Sequence, residues 1–195
     1  MSMRVISWEE YLTGTGDRPL SVTIGVFDGV HRGHQALLQK ICSPDSGQRP
    51  AVPAVVTFRE NPLKILRPGA FAGDILSLER KLEIIGTYGV GLVVLIDFSE
   101  EFSKIRGKDF IGRLLVGGKV KLIALGRNFR CGCRLDTGAR EIQSLAGAFG
   151  AETWVAPPVM DEGRPVSSSR IRQALAAGRV EEAERLLGRP LESNN

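Results

Sequence analysis

Two histidines occur in these 195 residues, three positions apart in the stretch GVFDGVHRGHQ, residues 25–35. His31 and His34 so placed suit three kinds of chemistry: ligation of a metal, a base with its helper, or a grip on an anionic substrate. The ALLQKI that follows has the spacing of a helix body, which puts the pair at a helix start. Unpaired N–H groups and the positive end of the helix dipole gather there, and acidic side chains normally answer them. His31, Arg32 and His34 are the wrong sign for that. The same inversion recurs in SSSRIR, residues 167–172, where serines suited to capping precede Arg170 and Arg172. Two such starts point to one shared anion, held by N–H groups, dipole and cations together.

The other chemistries fit less well. Zinc takes about four ligands, yet there is no third histidine, and Cys42, Cys131 and Cys133 form no CxxC pair, so no metal ligand is assigned. No serine or cysteine stands in a nucleophile elbow. The bland alternative is that the histidines only pack or cap. Against it, Gly25, Gly29 and Gly33 let the backbone approach a ligand closely at a strand-to-helix turn.

The elements that must position these residues are legible as apolar, β-branched runs at Val22–Phe27, Val52–Phe58, Leu92–Asp97, Val120–Gly126 and Glu152–Val155. Between them, Ala36-Leu37-Leu38 with Ile41, Leu78-Leu82-Ile85, Phe110-Ile111-Leu114-Leu115 and Ile142-Leu145-Ala146-Phe149 have helical spacing. That alternation predicts an α/β fold, a parallel sheet of about five strands with helices on both faces. Two further helices are expected at Ser168–Ala177 and Val180–Leu187, closed by Gly178 and Gly188. Ligands of such sheets bind beyond the carboxyl ends of the strands. The segments Asp28–His34, Arg59–Pro62 and Arg127–Arg130 should therefore converge at one edge.

Composition narrows the class. A 43% hydrophobic, 25% charged chain builds one globular domain, with disorder expected only at Glu192–Asn195. A net charge of +4 and 6% aromatics suit anionic small molecules better than nucleic acid. The acidic start MSMRVISWEEYLTG is no signal peptide, and no run approaches the roughly 20 apolar residues of a membrane span. With an odd number of cysteines, read as reduced thiols, this predicts a cytoplasmic protein that meets no membrane. Oligomeric state is not legible.

GVFDGVHRGHQALL resembles the nucleotide-binding signature of the flavin-adenylating HxGH nucleotidyltransferases, the bacterial bifunctional riboflavin kinase/FMN adenylyltransferases or FAD synthetases. VVTFRENPLKIL is similar to their T-F-x-P-H-P region, ALGRNFRCG to their G-x-[DN]-F-x-F-G loop, and GRPVSSSRIRQALAAGRVEEAERLLGRP to their V-S-S-T-x-I-R segment. The likeness spans roughly residues 15 to 190. It implies a Rossmann-like nucleotidyltransferase fold and a reaction in which the FMN phosphate attacks the α-phosphate of ATP, giving FAD and pyrophosphate, with magnesium and no covalent enzyme intermediate. It also implies roles. His31, His34, Asn128 and Arg172 would be catalytic, and Gly25, Phe27, Asp28, Gly33, Ser168 and Ser169 would bind nucleotide. Asn61, Pro62, Asn128 and Phe129 would face the flavin, although Phe129 reads equally as a core residue.

The chain departs from that pattern in three respects. Glu60-Asn61-Pro62 stands where Pro-His-Pro is usual, and Cys131 where an aromatic is usual. Residues 1–187 are expected to form the adenylyltransferase domain, with 188–195 a tail where a riboflavin kinase domain, absent from this chain, would begin. Alternatives are another HxGH nucleotidyltransferase, or a catalytically weak paralogue that binds ATP or flavin.

Overall fold

The computed structural model describes residues 3–43 and 51–191. The expectation for Glu192–Asn195 lies outside them.

Short strands rich in valine, isoleucine and leucine alternate with helices along the chain. The strands are β1 (Arg4–Ser7), β2 (Leu20–Ile24), β3 (Val52–Phe58), β4 (Leu92–Ile96), β5 (Val120–Gly126), β6 (Arg130–Cys131), β7 (Thr137–Gly138), β8 (Glu152–Ala156), β9 (Met160–Asp161) and β10 (Arg164–Pro165). The helices are α1 (Trp8–Leu12), α2 (Arg32–Cys42), α3 (Leu63–Leu66), α4 (Leu78–Thr87), α5 (Glu100–Ser103), α6 (Gly107–Gly117), α7 (Ala139–Ala148), α8 (Ser168–Ala176) and α9 (Val180–Leu187). Six strands make one sheet in the order β1-β4-β3-β2-β5-β8, parallel throughout. β9 with β10 and β6 with β7 form small antiparallel pairs.

Alternating strand residues supply two cores. Val22, Ile24, Val56, Val94, Ile96 and Leu125 meet Trp8 and Tyr11 of α1, Phe110 and Leu114 of α6 and Ile142 of α7. On the other face Val55, Val93, Leu95 and Ala124 meet Leu38 and Ile41 of α2 and Ile85 of α4. Each fully buried aliphatic side chain contributes about 1.5–3 kcal/mol, so both faces are firmly held. The pair α8–α9 closes a third, smaller cluster around Ile171, Leu186 and Leu187.

This order determines where a site can form. From β2 the chain adds β3 and β4 on one side, then returns to lay β5 and β8 on the other. The order reverses between β2 and β5, whose neighbouring carboxyl ends frame a crevice.

Three expectations need correction. The sheet has six strands, because β1 joins its edge beside β4; only Ile6 of that strand is buried, so it carries no apolar run to read. The first predicted strand stops at Ile24, not Phe27. Gly25 N–H still reaches Val56 O at 3.1 Å, but Phe27 turns to φ 54°, which ends the pleat. Phe149, read as part of an apolar helix face, follows the end of α7 and is exposed. The helices from 168 and 180 stand as expected, α8 ending one residue early, with Gly178 and Gly188 left-handed at φ 68° and 70°.

Candidate active site

His31 is the N-cap of α2. Its Nδ1 accepts from the N–H groups of Gly33 at 3.1 Å and His34 at 3.4 Å. A neutral imidazole that accepts at Nδ1 carries its proton on Nε2, where it remains a donor. Gly33 leaves the cap room: a Cβ there would stand 3.1 Å from His31 Cε1. One turn on, the His34 ring stacks on that of His31 with centroids 3.7 Å apart, and Phe27 closes over it at 4.8 Å. Burial pushes His31 down to about 4, helped by the nearby Arg189. Burial, then coupling to His31 and the charge of Lys81, hold His34 well below the ordinary imidazole range. The helix start is therefore less cationic than its letters suggest. Its histidines are neutral near pH 7 and offer hydrogen bonds rather than charge.

The preceding loop is held in a costly shape. Phe27 and Val30 both have left-handed backbone, at φ 54° and 40°, and for a β-branched valine that is strained. Its neighbours hold it there. Gln35 Nε2 donates to Val30 O at 3.0 Å and to Leu187 O at 2.6 Å. Arg189 donates to Gly29 O at 2.7 Å and Val30 O at 3.2 Å. The end of α9 thus clasps the loop before α2.

Asp28 joins this loop to the second motif. Its carboxylate accepts from Ile75 N–H at 2.8 Å and pairs with the Arg172 guanidinium. Its backbone carbonyl accepts the Ser168 hydroxyl at 2.9 Å, and Arg172 Nε reaches Gly73 O at 3.0 Å. GVFDGVHRGH and SSSRIR therefore do come together. The cations of α8 are already engaged, however. Arg170 pairs with Asp161 at 3.2 Å and Glu182 at 3.4 Å and donates to the carbonyls of Asp161, Arg164 and Pro165, so it fastens α8 to α9 and the β9–β10 hairpin. The cap of α8 is Ser167; Ser169 is exposed in the first turn.

The segment after β3 forms the neighbouring wall. Thr57 donates to Val26 O at 3.0 Å, tying β3 to the loop. Asn61 is buried, accepting from Leu63 N–H at 3.1 Å and donating to Asp74 at 3.2 Å, while Pro62 is buried at the start of α3. Glu60 is exposed and pairs with Lys64 at 3.8 Å, in the same turn. Across the crevice, Asn128 is exposed in the turn after β5, which closes with Phe129 N–H on Gly126 O at 2.9 Å. Phe129 and Cys131 pack against the core beneath. His31, His34, Gly25, Phe27, Asp28, Gly33, Ser168 and Arg172 thus form one connected constellation. Asn61 joins it through Asp74, beside Ile75. Asn128 shares only its edge of the sheet. Among the described residues no three His, Cys, Asp or Glu side chains cluster as metal ligands, and no helix is long and apolar enough to cross a membrane.

Residues 15–170 match the family described as FAD synthetase. The chain belongs to that family. It is 33% identical over 171 residues to the bifunctional riboflavin kinase/FMN adenylyltransferase of Escherichia coli, covering 87% of this chain and 54% of the relative. To the protein of the same description from Pseudomonas fluorescens it is 36% identical over 170 residues, 86% of this chain and 54% of the relative. The chain thus spans about half the length of these curated relatives. A crystal structure described as a macrolide-efflux protein from Streptococcus pneumoniae superposes with a TM-score of 0.85 at 30% identity, covering 97% of this chain and 63% of that one.

Within this FAD synthetase fold, three residues escaped the sequence reading. Lys81 is buried on α4 and donates to Phe58 O at 2.8 Å. It had a signal: Leu78, Lys81, Leu82 and Ile85 share one helix face, so a lysine interrupts an apolar stripe. Asp74 and Arg189 lie in irregular or terminal segments without periodicity, and nothing local marks them.

Proposed function

We propose that this chain is an FMN adenylyltransferase, residues 1–187 being its catalytic domain and ATP and FMN its substrates. The observation that carries this reading is the stacked His31–His34 pair at the switch point of the sheet, joined through Asp28 to Ser168 and Arg172. It is a cradle of N–H donors without a nucleophile. An FMN phosphate oxygen forms the new bond to the α-phosphorus of ATP, the α–β bridging bond breaks, and pyrophosphate leaves. His31 Nε2–H and His34 donate to the phosphate oxygens on which charge collects. Arg172 adds a cation from α8, and Asn128 orients the phosphates from β5. Gly25, Phe27, Asp28 and Gly33 shape the loop, and Ser169 offers a hydroxyl. Asn61, Pro62 and Phe129 line the flavin side. Such a site works by positioning and by donors arranged in advance.

The carboxylates at hand are committed, Asp28 to Arg172 and Asp74 to Asn61 and Lys64. Magnesium therefore belongs with the triphosphate, where it neutralises charge, and we assign it no protein cage.

A second reading, nucleotide binding without flavin turnover, draws on Asn61, whose side chain is occupied by Leu63 N–H and Asp74. One experiment separates the two. Purified protein with ATP, magnesium and FMN is assayed by chromatography for FAD and pyrophosphate. FAD formation that a chelator abolishes, and that His34→Ala lowers in kcat by about 10²–10³, supports the first reading. Bound ATP without FAD supports the second.

A further inference from the structure

A lysine on a core-facing stripe is costly to the fold, and Lys81 is 8% exposed. Its ammonium does not seek solvent. It donates to Phe58 O at 2.8 Å and lies 3.5 Å from Val26 O. Val26 precedes Phe27 in the phosphate loop, and Phe58 ends β3, three residues before Asn61. One ammonium thus spans the exits of two adjacent strands that lead to the two walls of the crevice. Burial pushes its ammonium below the ordinary lysine range, and the charges of Asp28 and Asp74 partly offset this by favouring the charged form. The same charge bears on His34.

We propose that Lys81 is a positioning residue for adenylyl transfer, a buried cation that sets the spacing of the phosphate loop against the flavin wall and fixes positive charge behind His34. This rests on the assignment of those walls to ATP and FMN. An apolar side chain of the same length would fill the stripe but leave the Phe58 and Val26 carbonyls without this donor. A residue kept only for packing would not be a lysine here.

The test compares Lys81→Met, which keeps the shape, with Lys81→Arg, which keeps the charge. With two histidines in the chain, each imidazole can be followed by NMR in the free protein. Facing His34 are the His31 ring from its own helix, Phe27 from the loop and Lys81 from α4, while Arg189 bears on His31. In Lys81→Met the protonation midpoint of His34 should rise, with His31 little changed. In Lys81→Arg both should stay. Lys81→Met should also lose at least tenfold in kcat/KM for FAD formation, which Lys81→Arg partly restores. Unchanged kinetics with an unmoved His34 midpoint overturn the proposal. If Lys81→Met fails to fold, the wild-type ammonium decides, followed by ¹⁵N-lysine NMR: a shift on adding ATP upholds the role, and an ammonium blind to ATP rejects it. If wild type itself makes no FAD, the reading of function fails, while the His34 midpoint still reports on Lys81.

Discussion

Asp28 and Arg172 form an ion pair across 144 positions of the chain, both partners largely buried. The arginine of α8 is thus held by a carboxylate of the loop before α2. Burial pushes the Asp28 carboxyl up, while Ile75 N–H and Arg172 pull it down. Removing the arginine leaves that carboxylate unpaired. Arg172→Ala should therefore cost about 3–5 kcal/mol in urea unfolding, and adding Asp28→Asn should recover part of it. An unchanged midpoint for Arg172→Ala would show that the pair holds nothing together.

Acid should loosen the protein through the same loop. Burial pushes His31 down to about 4 when folded, against 6.5 in a free chain. Between those values the unfolded chain takes up the proton first, so stability is full above about pH 6.5 and falls as the pH drops toward 4. His31 alone should account for roughly 3 kcal/mol of that loss. Urea midpoints from pH 7.5 to 4.5 measure it. His31→Asn, which can still cap a helix, should flatten the curve.

Gly33→Ala places a methyl 3.1 Å from His31 Cε1 and 3.2 Å from Nδ1. The ring must yield by a few tenths of an ångström, and the Nε2 donor shifts with it. The expected result is a rise of about tenfold in the KM for ATP, near 1.4 kcal/mol of binding, with a smaller change for FMN. Equal KM values for ATP in the two proteins would remove His31 from the nucleotide site.

Asn61→Ala should separate the two substrates. It frees Leu63 N–H and Asp74 on the wall next to the loop, leaving the His31 cap untouched. The KM for FMN should rise by about tenfold and that for ATP should hold. The reverse pattern would put the flavin elsewhere.

How much of this was legible follows from where each residue sits. β3 and β5 stand at the bounds read from the sequence, because strands buried on both faces appear as unbroken apolar runs. β1 was not legible, since an edge strand with Ile6 alone buried leaves no pattern. The two motifs GVFDGVHRGHQ and SSSRIR could be read because glycine and histidine spacing answers to a local turn. The charge reading of SSSRIR was only half sound: Arg172 faces Asp28, while Arg170 is absorbed by Asp161 and Glu182, acids whose position depends on tertiary packing. Lys81 could have been found from its place in an apolar stripe. Arg189 could not, for its meaning lies in two carbonyls 159 and 160 residues away.

That last contact bears on how the molecule comes to life. Val30 is strained, and its carbonyl is held by Gln35 and by Arg189. A chain emerging from the ribosome presents the histidine motif early, but the arginine that secures it is made some 160 residues later. The hold on this loop is therefore completed by a residue that follows every described strand in the chain.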